Sequence, residues 1–128
     1  MLTRNRFFPL LLALTAGSAL GVDHPVQVGP GFAFSPPTLS INQGDTVTFT
    51  NAGGAHNVHA ISGPTLFQCS VNCTTTNTPD GSGWSDTITF PTAGTVNYQC
   101  DAHAGLGMTG SITVNAVTPV RLQSFEID

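Results

Sequence analysis

The chain of 128 residues carries three Lys and Arg against seven Asp and Glu, a formal charge of −4, and has no lysine at all. So little positive charge leaves no patch for phosphates, which excludes nucleic-acid binding and docking on anionic membranes; the field of the chain favours a basic partner, weakly and in a salt-dependent way. With only 8% charged residues, the polar surface has to come mainly from Thr, Ser, Asn and Gly.

The first residues read as an export signal. Arg4 and Arg6 give a short basic start, Phe7 to Leu14 is apolar, and Ala19-Leu20-Gly21 fits a small-x-small cleavage site, so residues 1–21 are a signal peptide by this reading. The apolar run is shorter than the roughly 20 residues that a bilayer span takes. Its removal leaves about 107 residues and a charge of −6, because Arg121 alone then faces the seven acids. That length suits one domain, placed at 22–116, with a tail at 117–128 that is either a linker or an added edge strand. The expected location is periplasmic or secreted, and His24, just past the cleavage site, is expected at a mobile end.

The rest of the chain alternates short β-branched runs with turns. Val26-Gln27-Val28 is followed by turn signals at Gly29-Pro30-Gly31, Ser35-Pro36-Pro37 and Asn42-Gln43-Gly44-Asp45. Thr46-Val47-Thr48-Phe49-Thr50 alternates polar and apolar residues, and so do Thr87-Ile88-Thr89-Phe90, Thr95-Val96-Asn97-Tyr98 and Ser111-Ile112-Thr113-Val114. No helical period intervenes. Such strands at such spacing predict an all-β fold, an antiparallel Greek-key sandwich.

Between them, Ser62 to Ser85 is the least regular stretch, closed by Trp84 as a core or rim aromatic. Cys69 and Cys73 lie in it four residues apart, and in an oxidising compartment they are expected to form a disulfide. A second metal site there would lack a nearby histidine or third thiol. The Asn72-Cys73-Thr74 match to a glycosylation sequon reads as chance. Cys100 is then left over, a hazard outside the cytoplasm unless a metal occupies it.

Cys100-Asp101-Ala102-His103-Ala104-Gly105-Leu106-Gly107-Met108 supplies exactly one thiol, one imidazole and one thioether. Period 2 turns Tyr98 and Cys100 to the same inward face, and Gly105 and Gly107 let the following loop fold tightly enough to bring His103 and Met108 to one point. His56, in Gly53-Gly54-Ala55-His56-Asn57-Val58-His59, completes the set from another region. Zinc sites rarely use a thioether. Two imidazoles and a thiolate in a plane, with a weak axial thioether, suit a single copper ion. Odd spacing points His59 away from His56, so it reads as exposed or loop-packing, and Asp101 as solvated.

The run Cys-x2-His-x4-Met, ending a Tyr-x-Cys strand, resembles the copper loop of the plastocyanins and pseudoazurins, type 1 blue copper proteins of the cupredoxin class. The segment from Phe34-Ser35-Pro36-Pro37 through Gly44-Asp45 to Asn51 is similar to the element that leads to the family's first histidine, and the resemblance spans about Pro25 to Val114. It implies copper ligands His56, Cys100, His103 and Met108. It further implies that Asn57 ties the His56 segment to the cysteine loop and offers its backbone N–H to the thiolate. His103 is implied as the electron port, rimmed by Ala102, Ala104, Gly105 and Leu106, where redox protein partners dock. Gln99 stands where plant-type plastocyanins have a tyrosine, so the family's second, remote route is not expected. The expected function is a non-enzymatic, monomeric one-electron carrier; copper storage or delivery is the alternative, and a catalytic role would call for further histidines.

Overall fold

Inward-facing side chains at every second position build the strands of this protein. Val47 and Phe49 are buried in Thr46–Asn51, Val96 and Tyr98 in Gly94–Gln99, and Ile112 and Val114 in Thr109–Asn115. The intervening Thr, Asn and Ser face solvent, the pattern of a pleated sheet wetted on one side. The computed structural model describes residues 21–118 except 75 and 76, so the expected signal peptide, up to residue 20, and the last ten residues of the tail lie outside the described residues.

Nine strands occur among the described residues: β1 (Asp23–Val28), β2 (Phe34–Ser35), β3 (Thr38–Asn42), β4 (Thr46–Asn51), β5 (Val58–Ser62), β6 (Gln68–Cys69), β7 (Ser85–Thr89), β8 (Gly94–Gln99) and β9 (Thr109–Asn115). One sheet has the order β2-β1-β4-β7 and the other β3-β9-β8-β5-β6. The fold is the expected β-sandwich. Its sheets are mixed, however: β1 runs parallel to β4 and β3 parallel to β9, while the other pairs are antiparallel. Alternation decides which face is buried and carries nothing about a neighbour's direction. A parallel pair arises where the chain crosses to the other sheet before returning.

The core is aromatic at its centre. Phe34 and Phe49 each meet the Tyr98 ring nearly at right angles, at centroid distances of 4.8 and 5.4 Å, and Phe67 extends the cluster to Phe90 at 5.9 Å. Gly110 lies opposite Tyr98 in the β8–β9 register, and a Cβ at that position would overlap the Tyr98 ring. Trp84 is buried, as expected for a core aromatic, and Cys69 and Cys73 form a disulfide with Cα atoms 4.1 Å apart. Val117 and Thr118, at the start of the tail, belong to no strand.

His24 corrects its sequence reading. It lies in β1, and its Nε2 is 2.9 Å from Oδ2 of the buried Asp45. Asp45 also accepts the backbone N–H groups of Asn42 and Val22, at 3.0 and 2.9 Å. The Asn42 N–H, then His24 and the Val22 N–H, hold the Asp45 carboxyl below its ordinary value of 3.8. A lowered folded-state value stabilises the fold above the unfolded value, and the contribution is lost as pH falls through the folded one. The thermal midpoint is therefore expected to drop as the pH falls below about 4. Asp45→Asn should lower the midpoint at pH 7 and flatten that acid limb, which calorimetry across pH checks.

Candidate metal centre

Cys100 extends the inward parity of Val96 and Tyr98 just beyond β8, which leaves its thiol wholly buried. The chain then folds back on itself. The Cys100 N–H donates to the Met108 carbonyl at 3.1 Å, His103 N–H to the Cys100 carbonyl at 3.1 Å, and Met108 N–H to the His103 carbonyl at 3.2 Å. A single 3-10 turn, Ala104–Leu106, is closed by Gly107 at φ +87°, a conformation that favours glycine. Met108, immediately before β9, is buried completely. The loop is thus fixed by its own backbone, and its ligand candidates have little room to reorient.

His56 is positioned from the other side. It makes a two-way backbone bridge with Asp80, both hydrogen bonds 3.1 Å long, so the irregular stretch after β6 returns to brace it. Asn51, the last inward residue of β4, donates through Nδ2 to the carbonyls of Gly54, Asp80 and Ser82 at 2.8, 3.2 and 2.8 Å. The imidazole is packed between glycines. A Cβ on Gly29 or Gly54 would stand 2.8 or 2.7 Å from His56 Nε2. With Nε2 buried in this way, the ring turns Nδ1 toward Cys100.

Three of the four expected ligands therefore meet. Nδ1 of His56 is 3.2 Å from Nδ1 of His103, and Cys100 Sγ is 3.7 and 3.5 Å from these two nitrogens. A point equidistant from the three atoms lies about 2.0 Å from each, the length of a metal–imidazole bond and about 0.3 Å short of a metal–thiolate bond. The donor set and its spacing fit one metal ion held in a trigonal plane, and the soft sulfur selects copper. Burial, and then the nearby His103, push the His56 imidazole below its ordinary value. That shift favours the neutral ring, the form in which an imidazole nitrogen can ligate a metal.

Around these ligands is a polar clasp. Asn57, fully buried, accepts the Asp101 N–H at 2.8 Å and donates through Nδ2 to Asp101 Oδ2 at 2.8 Å and to the Asn77 carbonyl at 3.1 Å. Asp101, expected to be solvated, keeps an exposed edge but also accepts from Gln99 Nε2 at 3.0 Å and pairs with His59 Nδ1 at 2.9 Å. Partial burial raises the Asp101 carboxyl, but the donors Gln99, Asn57 and His59 together outweigh it and leave the group below its ordinary value. His59, pointed away from the ligands as expected, is not idle: its other nitrogen is 2.8 Å from Gln68 Nε2. The segment bearing Cys100 is thereby tied to β5 and, beyond it, to β6.

One side of the site reaches solvent. His103 is half-buried and stacks on Phe32, ring centroids 4.4 Å apart and planes 28° from parallel. Phe32 and Leu106 are 53% and 65% exposed, so Phe32 adds an aromatic ring beside His103 to the rim expected from Ala102, Ala104, Gly105 and Leu106.

Residues 22–115 match the copper-binding proteins of the plastocyanin/azurin family. Plastocyanin A/B of Petroselinum crispum is 34% identical over 89 residues, which cover 66% of this chain and 90% of that protein. Chloroplastic plastocyanin of Tetradesmus obliquus is 37% identical over 110 residues, covering 80% of this chain and 71% of its own. Among solved structures, an amicyanin variant in its reduced state aligns with a TM-score of 0.55 at 26% identity, covering 74% of this chain and 82% of its own. A copper-containing nitrite reductase from Thermus scotoductus aligns with a TM-score of 0.58 at 29% identity, but over only 23% of that chain.

Proposed function

The chain belongs to the plastocyanin/azurin family of copper-binding proteins, and from that premise we propose that it is an exported carrier of single electrons. The observation that carries this reading is the triangle of His56 Nδ1, Cys100 Sγ and His103 Nδ1, set at bonding distance from a common centre. Met108, fully buried and accepting the Cys100 N–H through its carbonyl, is the proposed axial thioether. Copper bound here supplies a couple between Cu(II) and Cu(I) and turns over no substrate.

The residues around it serve that task by holding still. A soft ligand set fixed by backbone hydrogen bonds and a buried Asn57 accommodates both oxidation states with little rearrangement. Asn57 is further proposed to offer its main-chain N–H to the thiolate. Electrons enter and leave at the exposed edge of His103, and the apolar rim with Phe32 and Leu106 is a small patch suited to brief contact with redox protein partners. Lys and Arg are absent among the described residues, which complements a basic partner. Gln99 is turned to Asp101, so no aromatic side chain leads outward from the position before Cys100. No helix among the described residues is long and apolar enough to cross a membrane. Periplasmic or secreted location and a monomeric state belong to the same proposal.

Electron exchange against metal exchange tests this reading. A carrier exchanges electrons between its oxidised and reduced forms, seen as line broadening in a mixed sample, faster than it yields copper to a chelator. The reverse order would instead indicate copper storage or delivery. Met108→Leu tests the axial assignment. Loss of a donor to Cu(II) is expected to raise the reduction potential, and an unchanged or lower potential would remove Met108 from the ligand set.

A further inference from the structure

The electron carrier has no use for Asp86. This residue lies on β7 opposite Phe49, with its side chain on the face turned toward the core, and its Oδ2 is buried without a hydrogen-bond partner. Such a group costs stability. It is found beside the disulfide: a carboxylate oxygen of Asp86, Cys69 Sγ and Cys73 Sγ all lie within 4.8 Å of one another.

The disulfide itself is lopsided. Cys69 is fully buried on β6, whereas Cys73 is exposed and lines a cleft of about 450 Å³ with Leu66, Phe67 and Ile88. Cys73 is the half of the disulfide that faces solvent and the cleft, so it is the side open to an incoming thiolate, and the sulfur that then leaves belongs to the buried Cys69. Exposed disulfides are the labile ones, and their exchange depends on which sulfur is attacked and on how well the other leaves.

We propose that Cys69–Cys73 is a thiol–disulfide exchange site, opened at Cys73 by a dithiol reductant, with Asp86 as its acid–base group. The thiolate of the reductant attacks Cys73 Sγ and forms a mixed disulfide as the Cys69–Cys73 bond breaks. Cys69 leaves with the bonding pair and takes the proton of the Asp86 carboxylic acid. The second thiolate of the reductant then attacks the mixed disulfide and releases Cys73, which is protonated by solvent. The reductant is oxidised by two electrons to its own disulfide, and the cysteine pair is reduced to two thiols. In the return direction the Asp86 carboxylate takes the proton of Cys69 and makes it the nucleophile. Burial raises the Asp86 carboxyl above its ordinary value, which favours holding the proton to be given. None of this depends on the metal centre.

The test uses the full chain at pH 7 with dithiothreitol as the probe, an acid quench, unfolding, alkylation and mass analysis. Alkylated cysteines should rise from Cys100 alone to all three, at a rate proportional to dithiothreitol, and Asp86→Asn should slow that rise by about tenfold or more. Asp86→Asn replaces a carboxyl group whose buried Oδ2 has no hydrogen-bond partner, so its thermal midpoint should equal or exceed that of the unaltered chain. In the unaltered chain, short exposure to glutathione should leave the mixed disulfide on Cys73. A rate independent of thiol concentration, an equal rate in Asp86→Asn, or glutathione on Cys69 would overturn the proposal.

Discussion

Cys100→Ser should abolish the visible colour of the copper-loaded chain altogether. That colour is expected from charge transfer out of the thiolate sulfur, and the described residues place only Cys100 Sγ within reach of both imidazoles, at 3.5 and 3.7 Å. A serine hydroxyl is nearly the same shape, so the loop, held by backbone bonds among Cys100, His103 and Met108, should fold as before. What disappears is a soft anionic donor that favours copper. Altering the partners that merely orient a metal's ligands costs about 10–100-fold in affinity, so removal of a ligand should exceed that range. The disulfide leaves Cys69 and Cys73 unable to substitute. Absorption and copper content per chain decide the matter; a variant that keeps the colour would exclude Cys100 as the thiolate.

Asn57→Ala should cost on the order of 3 kcal/mol of stability, a large loss for one side chain. Its amide makes three hydrogen bonds, to the Asp101 N–H, the Asp101 carboxylate and the Asn77 carbonyl, and the residue is fully buried. Truncation would leave the Asp101 N–H and its carboxylate short of partners and open a void between the two ligand-bearing segments. The coupling of the His56 segment to the Cys100 loop goes with it, so the reduction potential should shift as well. Chemical denaturation of the metal-free chain measures the first effect. A loss below about 0.5 kcal/mol, the level of an ordinary surface substitution, would mean that Asn57 does not fasten the site.

Much of the candidate centre was legible because most of its proposed ligands lie close together in sequence. Cys100, His103 and Met108 share one loop, and parity through Val96 and Tyr98 already aims the thiol inward; only His56 had to be sought elsewhere. The same parity argument, carried along Val47 and Phe49, points to Asn51 as an inward polar residue, the one signal that could have marked it as a brace. The Asp101–His59 pair was hidden for a different reason. It depends on the β5–β8 register, which sets His59 opposite Gln99, and alternation does not reveal which strands become neighbours or in what register. The parallel pairings and the His24–Asp45 contact are equally long-range. Phe32 sits in a turn with no periodicity to interpret, and its stacking on His103 appears only when β1, β2 and the Cys100 loop converge at one end.

A reductive and oxidative titration of the copper-loaded chain, followed by its visible absorption, bears most directly on the copper-centred function. One copper per chain should give a strong band that bleaches and returns reversibly in a single one-electron step. A chain that binds Cu(II) without colour, or whose colour is lost irreversibly on one cycle, would contradict an electron carrier built on His56, Cys100, His103 and Met108.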